Sequence, residues 1–579
     1  MVNLVIDGKE ISVKEGTTIL QAALQNGIDI PTLCFLKEIN EVGDCRMCIV
    51  EVEGRKGFAT SCIQKVEEGM VVKTHSHAVV EARKIILDLI LSNHHRDCLT
   101  CSRNGNCELQ ELAAKFNVQV VEFEGERTKH KVDDKSPSIV RDFNKCILCR
   151  RCVATCKYVQ KIGAIDCINR GFDSCISTTY DHSLNDVDCT FCGQCIESCP
   201  TGALKEKENI QDVWRKLRDE GTFVVVQTAP AVRVALGEEF GMPIGTNVAG
   251  KMVTALKSIG FDKVFDTNTG ADLTIMEEAN EFIERIQNAG VLPMITSCSP
   301  GWVRFAEKNF PENLDHLSSC KSPHQMFGAI IKSYFADKYN IDKEKICVVS
   351  VMPCIAKKYE CSRDEMEVDG IRDVDYVITT RELARMIKQA NIDFCELEDG
   401  KFDEPMGEAS GAGAIFGTTG GVMEAAIRTA VDTLEGKSMD KLEYTQVRGE
   451  KGIKEATLKI AGKDIKVAVA SGLSNARKIM EQIRDGKCDY HFVEIMACPG
   501  GCIMGGGQPI KSSKIRSTVD VAKLRRDALY SIDEKSIIRK SHENPFMIKL
   551  YKEFLEKPGS HKAHKYLHTT YTKKEKYDI

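Results

Sequence analysis

The chain has 579 residues, with 79 Lys and Arg against 84 Asp and Glu, for a net charge of −5. That length exceeds one core and predicts three or four domains; the near balance of charge excludes a strong basic field for nucleic acid. No run of about 18 apolar residues occurs, so no transmembrane helix is expected, and the polar start MVNLVIDGKEISVKEG does not read as a secretory signal. Cysteine is the outlier, with 26 residues. Without an export signal these point to metal ligation, redox chemistry or burial rather than disulfides, and a cytoplasmic setting is expected.

Residues 2–52 predict short strands (NLVIDG, KEISV, MCIVEVEG) around one helix, TTILQAALQNG, with Thr17 or Thr18 as its N-cap. Cys34, Cys45, Cys48 and Cys62 follow the spacing C-x10-C-x2-C-x13-C. The loop VGDCRMC brings two thiolates together, and its glycine lets backbone amides approach the sulfurs. This arrangement resembles a plant-type [2Fe–2S] ferredoxin domain. The spacing is not the plant ferredoxin's own and resembles instead the variant at the start of hydrogenases and of the large iron–sulfur subunit of respiratory NADH dehydrogenase. Tetrahedral zinc is the alternative.

The segment AVVEARKIILDLILSNHH has helical periodicity and ends at His94 and His95. Cys98, Cys101 and Cys107 follow, and the set resembles the [4Fe–4S] module with one histidine and three cysteine ligands of the same two families. Spacing favours His94 over His95 as the fourth member. Next, Cys146, Cys149, Cys152 and Cys156 form CxxCxxCxxxC, and Cys189, Cys192, Cys195 and Cys199 repeat it before Pro200. In this bacterial two-cluster ferredoxin signature the fourth cysteine of each run serves the other cluster. One cube is therefore expected on Cys146, Cys149, Cys152 and Cys199, the other on Cys189, Cys192, Cys195 and Cys156. Cys167 and Cys175 fit neither run and read as core residues. Thiolates are soft ligands suited to iron–sulfur centres; four such groups make a wire for single electrons.

From about residue 210 the texture becomes α/β. The runs FVVVQTAP, VLPMITSC, ICVVSVMPC and VAVASG alternate with amphipathic helices, predicting parallel sheets with ligands at the carboxyl ends of strands. Three turns stand out: TSCSPGW from Thr296, MPCIAKK from Met352, and EIMACPGGCIMGGG from Glu494. Together with TAPAVRVALGEEFG, FDTNTGADLTIMEEA, RDVDYVITTRELARMI, GEASGAGAIFGTTGGVMEAA and KSHENP they resemble [FeFe]-hydrogenases of the long clostridial type, over essentially the whole chain. The resemblance implies an H-cluster, a [4Fe–4S] cube joined through one cysteine sulfur to a diiron unit carrying CO, cyanide and azadithiolate. Cys354, Cys498 and Cys502 would hold the cube, with Cys502 as the bridge. Lys357 would hydrogen-bond a cyanide. Pro230, Ala231, Met352, Phe416, Gly417 and Met496 would line the pocket, although the methionines alone read as core packing. Protons would pass from Cys298 through Glu278, Ser318 and Glu281 to Arg285. By composition alone, MEEANEFIER would be a solvated helix face.

The first loop departs from the family. Two adjacent cysteines are expected there, and this chain has Cys298-Ser299. Ser299 would then ligate as an alkoxide, or Cys298 would swing in as ligand, or one iron would lack a protein side chain. His324 stands where the family commonly has glutamine, and Cys320 where alanine is expected. Cys347, Cys361, Cys395 and Cys488 show no ligand spacing. The tail HKAHKYLHTTYTKKEKYDI reads as a frayed terminus.

The expected fold is multidomain, α+β and α/β. It comprises a β-grasp ferredoxin-like domain over 1–78, the histidine-plus-cysteines module over 79–126 and the two-cluster ferredoxin domain over 127–209. A hydrogenase catalytic domain with a small-subunit-like end fills 210–579. The resemblance implies one [2Fe–2S], three accessory [4Fe–4S] and one H-cluster, reversible proton reduction with ferredoxin or flavodoxin, maturation proteins for the diiron unit, and a monomer. The alternatives are a hydrogen sensor of low turnover, favoured by the altered loop, and an electron-transfer subunit of a larger NADH-linked complex.

Overall fold

The structure is a computed structural model that describes residues 1–438, 442–449, 452–460 and 462–578. Its first sheet has five strands in the order Lys9–Val13, Val2–Ile6, Met70–Lys73, Ile49–Val52, Phe58–Thr60. Ile11 and Val13 are buried while Lys9, Glu10 and Ser12 are exposed, the period-two pattern of a sheet with one wet face. The helix Ile19–Gln25 lies on the dry side. Thr18 caps it, with its side chain accepting from the Gln21 amide while the Gln21 side chain returns to the Thr18 amide. The helix His77–Asn93 follows, buries Val79, Arg83, Leu87, Asp88 and Leu91 along one stripe, and stops at His94.

The sequence repeat becomes a backbone repeat in the next segment. Short helices Arg151–Ala154 and Gln194–Ser198 both start from left-handed residues, Arg150 and Gly193. Strands Ile139–Arg141 and Leu204–Glu206 pair antiparallel and close the segment at its two ends.

Two four-stranded sheets build the remainder. The first is wholly parallel, in the order Lys263–Asp266, Phe223–Thr228, Ile346–Met352, Tyr376–Thr379. The second runs Met294–Ile295, Phe492–Met496, Lys463–Ser471, Ile453–Ile460, and its last pair is antiparallel. That edge departs from the expected all-parallel pattern because Gly462, at φ +75°, permits a tight hairpin turn. The 21-residue helix Thr267–Gln287 is buried along most of its length, including Glu277 and Glu278. Among the described residues, no helix is long and apolar enough to cross a membrane.

The C-terminal tail corrects the expectation of a frayed end. Helix His561–Leu567 is capped by Ser560 and buries Ala563 and Leu567, one turn apart on a single face. Beyond it, the Tyr571 hydroxyl donates to the Ser318 carbonyl at 3.0 Å, and the Lys574 amide donates to the Glu307 carbonyl at 3.0 Å.

Candidate active site

Parallel strands of both sheets point their carboxyl ends at one partly open cavity with about 750 Å³ of empty space, including its mouth. Strand Phe223–Thr228 delivers Pro230 and Ala231, and strand Ile346–Met352 delivers Met352 and Cys354. The second sheet delivers Cys298 and Ser299 after Met294–Ile295, and Met496, Cys498 and Cys502 after Phe492–Met496. Phe416, Gly417, His324 and Lys357 complete the lining. The third loop folds tightly because of its glycines. Gly501 sits at φ +89°, and a Cβ there would lie 2.7 Å from the Thr419 amide nitrogen.

Three thiols thus converge from two loops. Burial pushes Cys354 and Cys498 up, and Cys502 up to about 12. They stay neutral unless a metal displaces the proton, which is the behaviour of a buried soft-metal donor set. Ser299 adds a hydroxyl, which accepts from the Ala497 amide at 3.2 Å.

One wall is ionic. The Lys357 ammonium donates to the Cys298 carbonyl at 3.0 Å and to Glu360 at 2.8 Å. Burial works against its charge, but Glu360 outweighs it and raises Lys357. His324 Nε2 also contacts Glu360, and its Nδ1 lies 3.2 Å from the Ser350 hydroxyl. Burial, with Lys357 nearby, holds His324 down at about 4, so the imidazole is neutral. Glu360 escaped the reading of the sequence, although its position one helical turn after Lys357 is a detectable signal.

Behind Cys298, outside the cavity lining, lie carboxyl groups. Glu278 is fully buried, and neither of its oxygens has a hydrogen-bond partner among the described residues. The Ser318 hydroxyl and the Ser297 amide face it and favour its charged form, but neither makes a well-formed hydrogen bond to it. Burial and then Glu281 push it up to about 8. Ser318 donates to Glu281 Oε2 at 2.9 Å, and Arg285 donates to Glu281 Oε1 at 2.6 Å. Cys298 is raised by burial and by Glu278, which places its thiol in that carboxyl group's field.

The N-terminal cysteines gather in separate groups. The thiols of Cys34 and Cys45 are in contact, as are those of Cys48 and Cys62. The Cys34 thiol holds Cys45 down at about 6. Two pairs are what a two-iron rhombus needs. His94 is buried with Nδ1 unpartnered, whereas His95 is exposed and lies 3.1 Å from Asp97. Burial and Lys145 hold His94 down at about 4, the neutral form that binds metal. Burial raises Cys107, with Cys101 near enough to add to it, and Cys98 opens the turn between them and His94. Cys146, Cys149, Cys152 and Cys199 line one cavity with about 320 Å³ of empty space. Cys156, Cys189, Cys192 and Cys195 line another with about 380 Å³.

The groups form a connected series. The Asn40 side chain bridges the Cys34 and Cys149 carbonyls at 2.7 and 3.0 Å. A Cβ on Gly202 would lie 2.5 Å from the Cys101 sulfur, which brings that group against the same cube cavity. Gln160 donates to the Ala497 carbonyl at 2.9 Å, Gly193 packs on Gly506, and Cys192 and Cys498 feel one another's charge.

Known proteins share this organisation. The C-terminal domain of the iron-only hydrogenase large subunit matches residues 222–506, and the iron hydrogenase small subunit matches 519–574. A 2Fe-2S iron-sulfur cluster binding domain matches 1–77. The NADH-ubiquinone oxidoreductase-G iron-sulfur binding region matches 83–122, and the ferredoxin-like domain of NADH-quinone oxidoreductase subunit 3 matches 136–205. Iron hydrogenase 1 of Clostridium pasteurianum is 46% identical over 99% of this chain and 100% of its own. The chain belongs to the [FeFe]-hydrogenase family. The NADP-reducing hydrogenase subunit HndD of Solidesulfovibrio fructosivorans is 50% identical over the full length of both. The solved structure of a variant of [FeFe]-hydrogenase HydA1 from Chlamydomonas reinhardtii aligns with a TM-score of 0.57 at 41% identity, covering 63% of this chain and 99% of that one. This [FeFe]-hydrogenase is therefore an enzyme of hydrogen metabolism, with [2Fe–2S]- and [4Fe–4S]-binding segments before an H-cluster domain.

Proposed function

We propose that this [FeFe]-hydrogenase interconverts protons and dihydrogen, 2H⁺ + 2e⁻ ⇌ H₂, with ferredoxin or flavodoxin as its cytoplasmic electron partner. The observation that carries this reading is the convergence of Cys354, Cys498 and Cys502 on one cavity, between the Lys357 ammonium and the Cys298 thiol. We read those three cysteines as the ligands of the H-cluster cube, with Cys502 shared with the diiron unit. That unit, when bound, supplies the two-electron chemistry. Lys357, fixed by Glu360, offers a cationic donor to a cyanide ligand. The apolar lining of Pro230, Ala231, Met352, Phe416 and Met496 excludes water. Lys357 also ties down the Cys298 carbonyl, which opposes a swing of that residue onto the cube. Ser299 then offers the fourth iron an oxygen in place of sulfur.

Cys298 hands protons to and from Glu278, which keeps its own proton near neutrality. The unmade bond between Glu278 and Ser318 is the step where a small side-chain rotation or one water completes the relay. Ser318 and Glu281 carry the proton outward, and Arg285 holds Glu281 at the exit.

For electrons, we read the N-terminal sheet and helix as a β-grasp ferredoxin domain over 1–78, holding [2Fe–2S] on Cys34, Cys45, Cys48 and Cys62. The module over 79–126 would hold a cube on His94, Cys98, Cys101 and Cys107. The domain over 127–209 would hold the two crossed cubes. The contacts through Asn40 and Gly202 make the Cys146 group a junction of two entrances. The Cys156 group then leads to the cavity.

An infrared spectrum of protein loaded without oxygen by the maturation proteins tests this reading. Bands of bound CO and cyanide, together with hydrogen evolved from reduced ferredoxin, are expected. Their absence beside a loaded control hydrogenase would reduce the protein to an electron carrier on a hydrogenase scaffold. A second reading follows from the full-length similarity to HndD, a subunit by its name. This chain would then pass electrons to partner chains rather than to ferredoxin. Purification from its native cells distinguishes the two: the first expects a monomer that reduces ferredoxin with H₂, the second a complex that reduces a nicotinamide nucleotide.

A further inference from the structure

The outer end of the relay carries a second cluster of donors. Glu281, Cys320 and His568 each point one ligand atom into a space where all three lie within 4.8 Å of one another. A carboxylate, a thiol and an imidazole are a mixed donor set typical of zinc. The backbone sets their meeting. Cys320 and His568 lie opposite one another in an antiparallel bridge, fixed by Lys321 N to Leu567 O and Thr569 N to Ser319 O, both 2.8 Å.

The imidazole is held as a metal-binding histidine is held. His568 Nε2 lies 3.1 Å from Glu277, a fully buried carboxylate that also accepts from the Tyr551 hydroxyl and, at 2.9 Å, the Gly559 amide. A carboxylate behind a histidine fixes ring orientation and raises ligand basicity. Nδ1 is left on the cluster side, 2.8 Å from the Ser319 hydroxyl. The donor oxygen of Glu281 is equally selected. Oε1 is taken by Arg285, while Oε2 accepts from Ser318 and, at 3.1 and 3.3 Å, from the Ser319 amide and hydroxyl, which an ion would displace, and lies 3.9 Å from the Cys320 sulfur. His564, exposed and tilted 35° against His568 with ring centroids 4.1 Å apart, marks the way to solvent.

We propose that Glu281 Oε2, Cys320 Sγ and His568 Nδ1 bind one thiophilic divalent cation such as Zn²⁺, and that the bound ion closes the proton relay. Binding replaces the Cys320 S–H bond with a metal–sulfur bond and releases that proton to solvent. A water completes a four-coordinate site. The ion occupies the oxygen that accepts from Ser318, so the two cannot share a proton while it is bound. The gate rests on the relay proposed for this enzyme. The site itself does not.

The test uses the loaded holoenzyme with ZnCl₂ as the probe. Hydrogen evolution and zinc K-edge X-ray absorption are read on wild type, Cys320→Ala and His568→Gln, with thermal unfolding confirming that each variant folds. Expected is inhibition of wild type, one bound zinc with one sulfur neighbour, and a rise of at least about tenfold in the half-inhibitory concentration in both variants. Their uninhibited turnover stays within about twofold of wild type, since neither residue belongs to the relay. Equal inhibition and an equal zinc–sulfur signal in Cys320→Ala would overturn the site and place the metal on other thiols, such as exposed Cys395. Zinc bound through Cys320 without inhibition would overturn the gate. If Glu281→Gln then also turned over normally, the failure would belong to the relay reading.

Discussion

Two buried glutamates lie near Cys298 and take opposite protonation states. Glu278 is 0% exposed and Glu360 4%, so desolvation pushes both toward the protonated form. Glu278 is pushed by burial and by the carboxylates of Glu281 and Glu494, with no cation among the leading influences, and reaches about 8. Glu360 lies against Lys357 and His324, which overcome burial and hold it at about 2. Burial therefore does not decide protonation in this cavity; the nearest cation does. The acid without a cation keeps its proton near neutrality, whereas the pinned acid is a fixed charge that orients an ammonium; burial and that ammonium, against the pull of Glu360, keep His324 neutral.

The sharpest way to break this contrast is Glu278→Gln. Hydrogen turnover with reduced viologen should fall by about 10²-fold or more, the effect of removing a proton-transfer group. Undiminished turnover would remove Glu278 from the relay. The same variant has a stability signature. The folded value of about 8 lies above the ordinary 4.5, so within that window the folded chain holds a proton that the unfolded chain has lost. Stability from this group therefore falls as pH rises from about 4.5 to 8. Glutamine cannot ionise, so thermal unfolding across that range should show a shallower decline in the variant.

Glu360→Gln attacks the other side. It leaves Lys357 buried without its anion, and breaking such a pair costs about 3–5 kcal/mol. A depressed unfolding temperature is expected. An unchanged one would mean that the ammonium is held by the Cys298 carbonyl alone. Ser318→Ala should be milder, about tenfold in turnover, because water can take the place of the hydroxyl between the two glutamates. His324→Gln should be mildest. A neutral imidazole contributes no titration between about pH 5 and pH 8, so turnover should stay within threefold and the pH–rate profile should keep its shape. A lost inflection near neutrality would show that His324 is charged in the working enzyme.

These contrasts were unequally legible. The paired runs Cys146–Cys156 and Cys189–Cys199 are local, each within eleven residues, and their crossed sharing follows from the repeat. Thr18 as a cap was one of two adjacent candidates, separated only by the reciprocal bonds with Gln21. The cavity is different. Cys298, Cys354 and Cys498 were named through family resemblance, because no spacing rule links loops about 200 residues apart. Composition favoured a wet helix face at Glu278 and a frayed end at His568. Packing between distant segments decided both: the helix Gly421–Glu435 and the second sheet lie against Glu278, and the C-terminal segment docks through Tyr571 on Ser318 and through His568 on Glu277.

The sequence by itself determined the donor chemistry. Closely spaced cysteines carry their own geometry, since a few residues of chain cannot place them far apart. The β/α alternation likewise sends ligand loops to strand carboxyl ends. Only the tertiary structure decided which carboxyl groups are acids and which are anions, and that Cys320 meets Glu281 and His568. Protonation depends on the dielectric and on charges brought in from distant segments, and those are properties of packing, not of order along the chain.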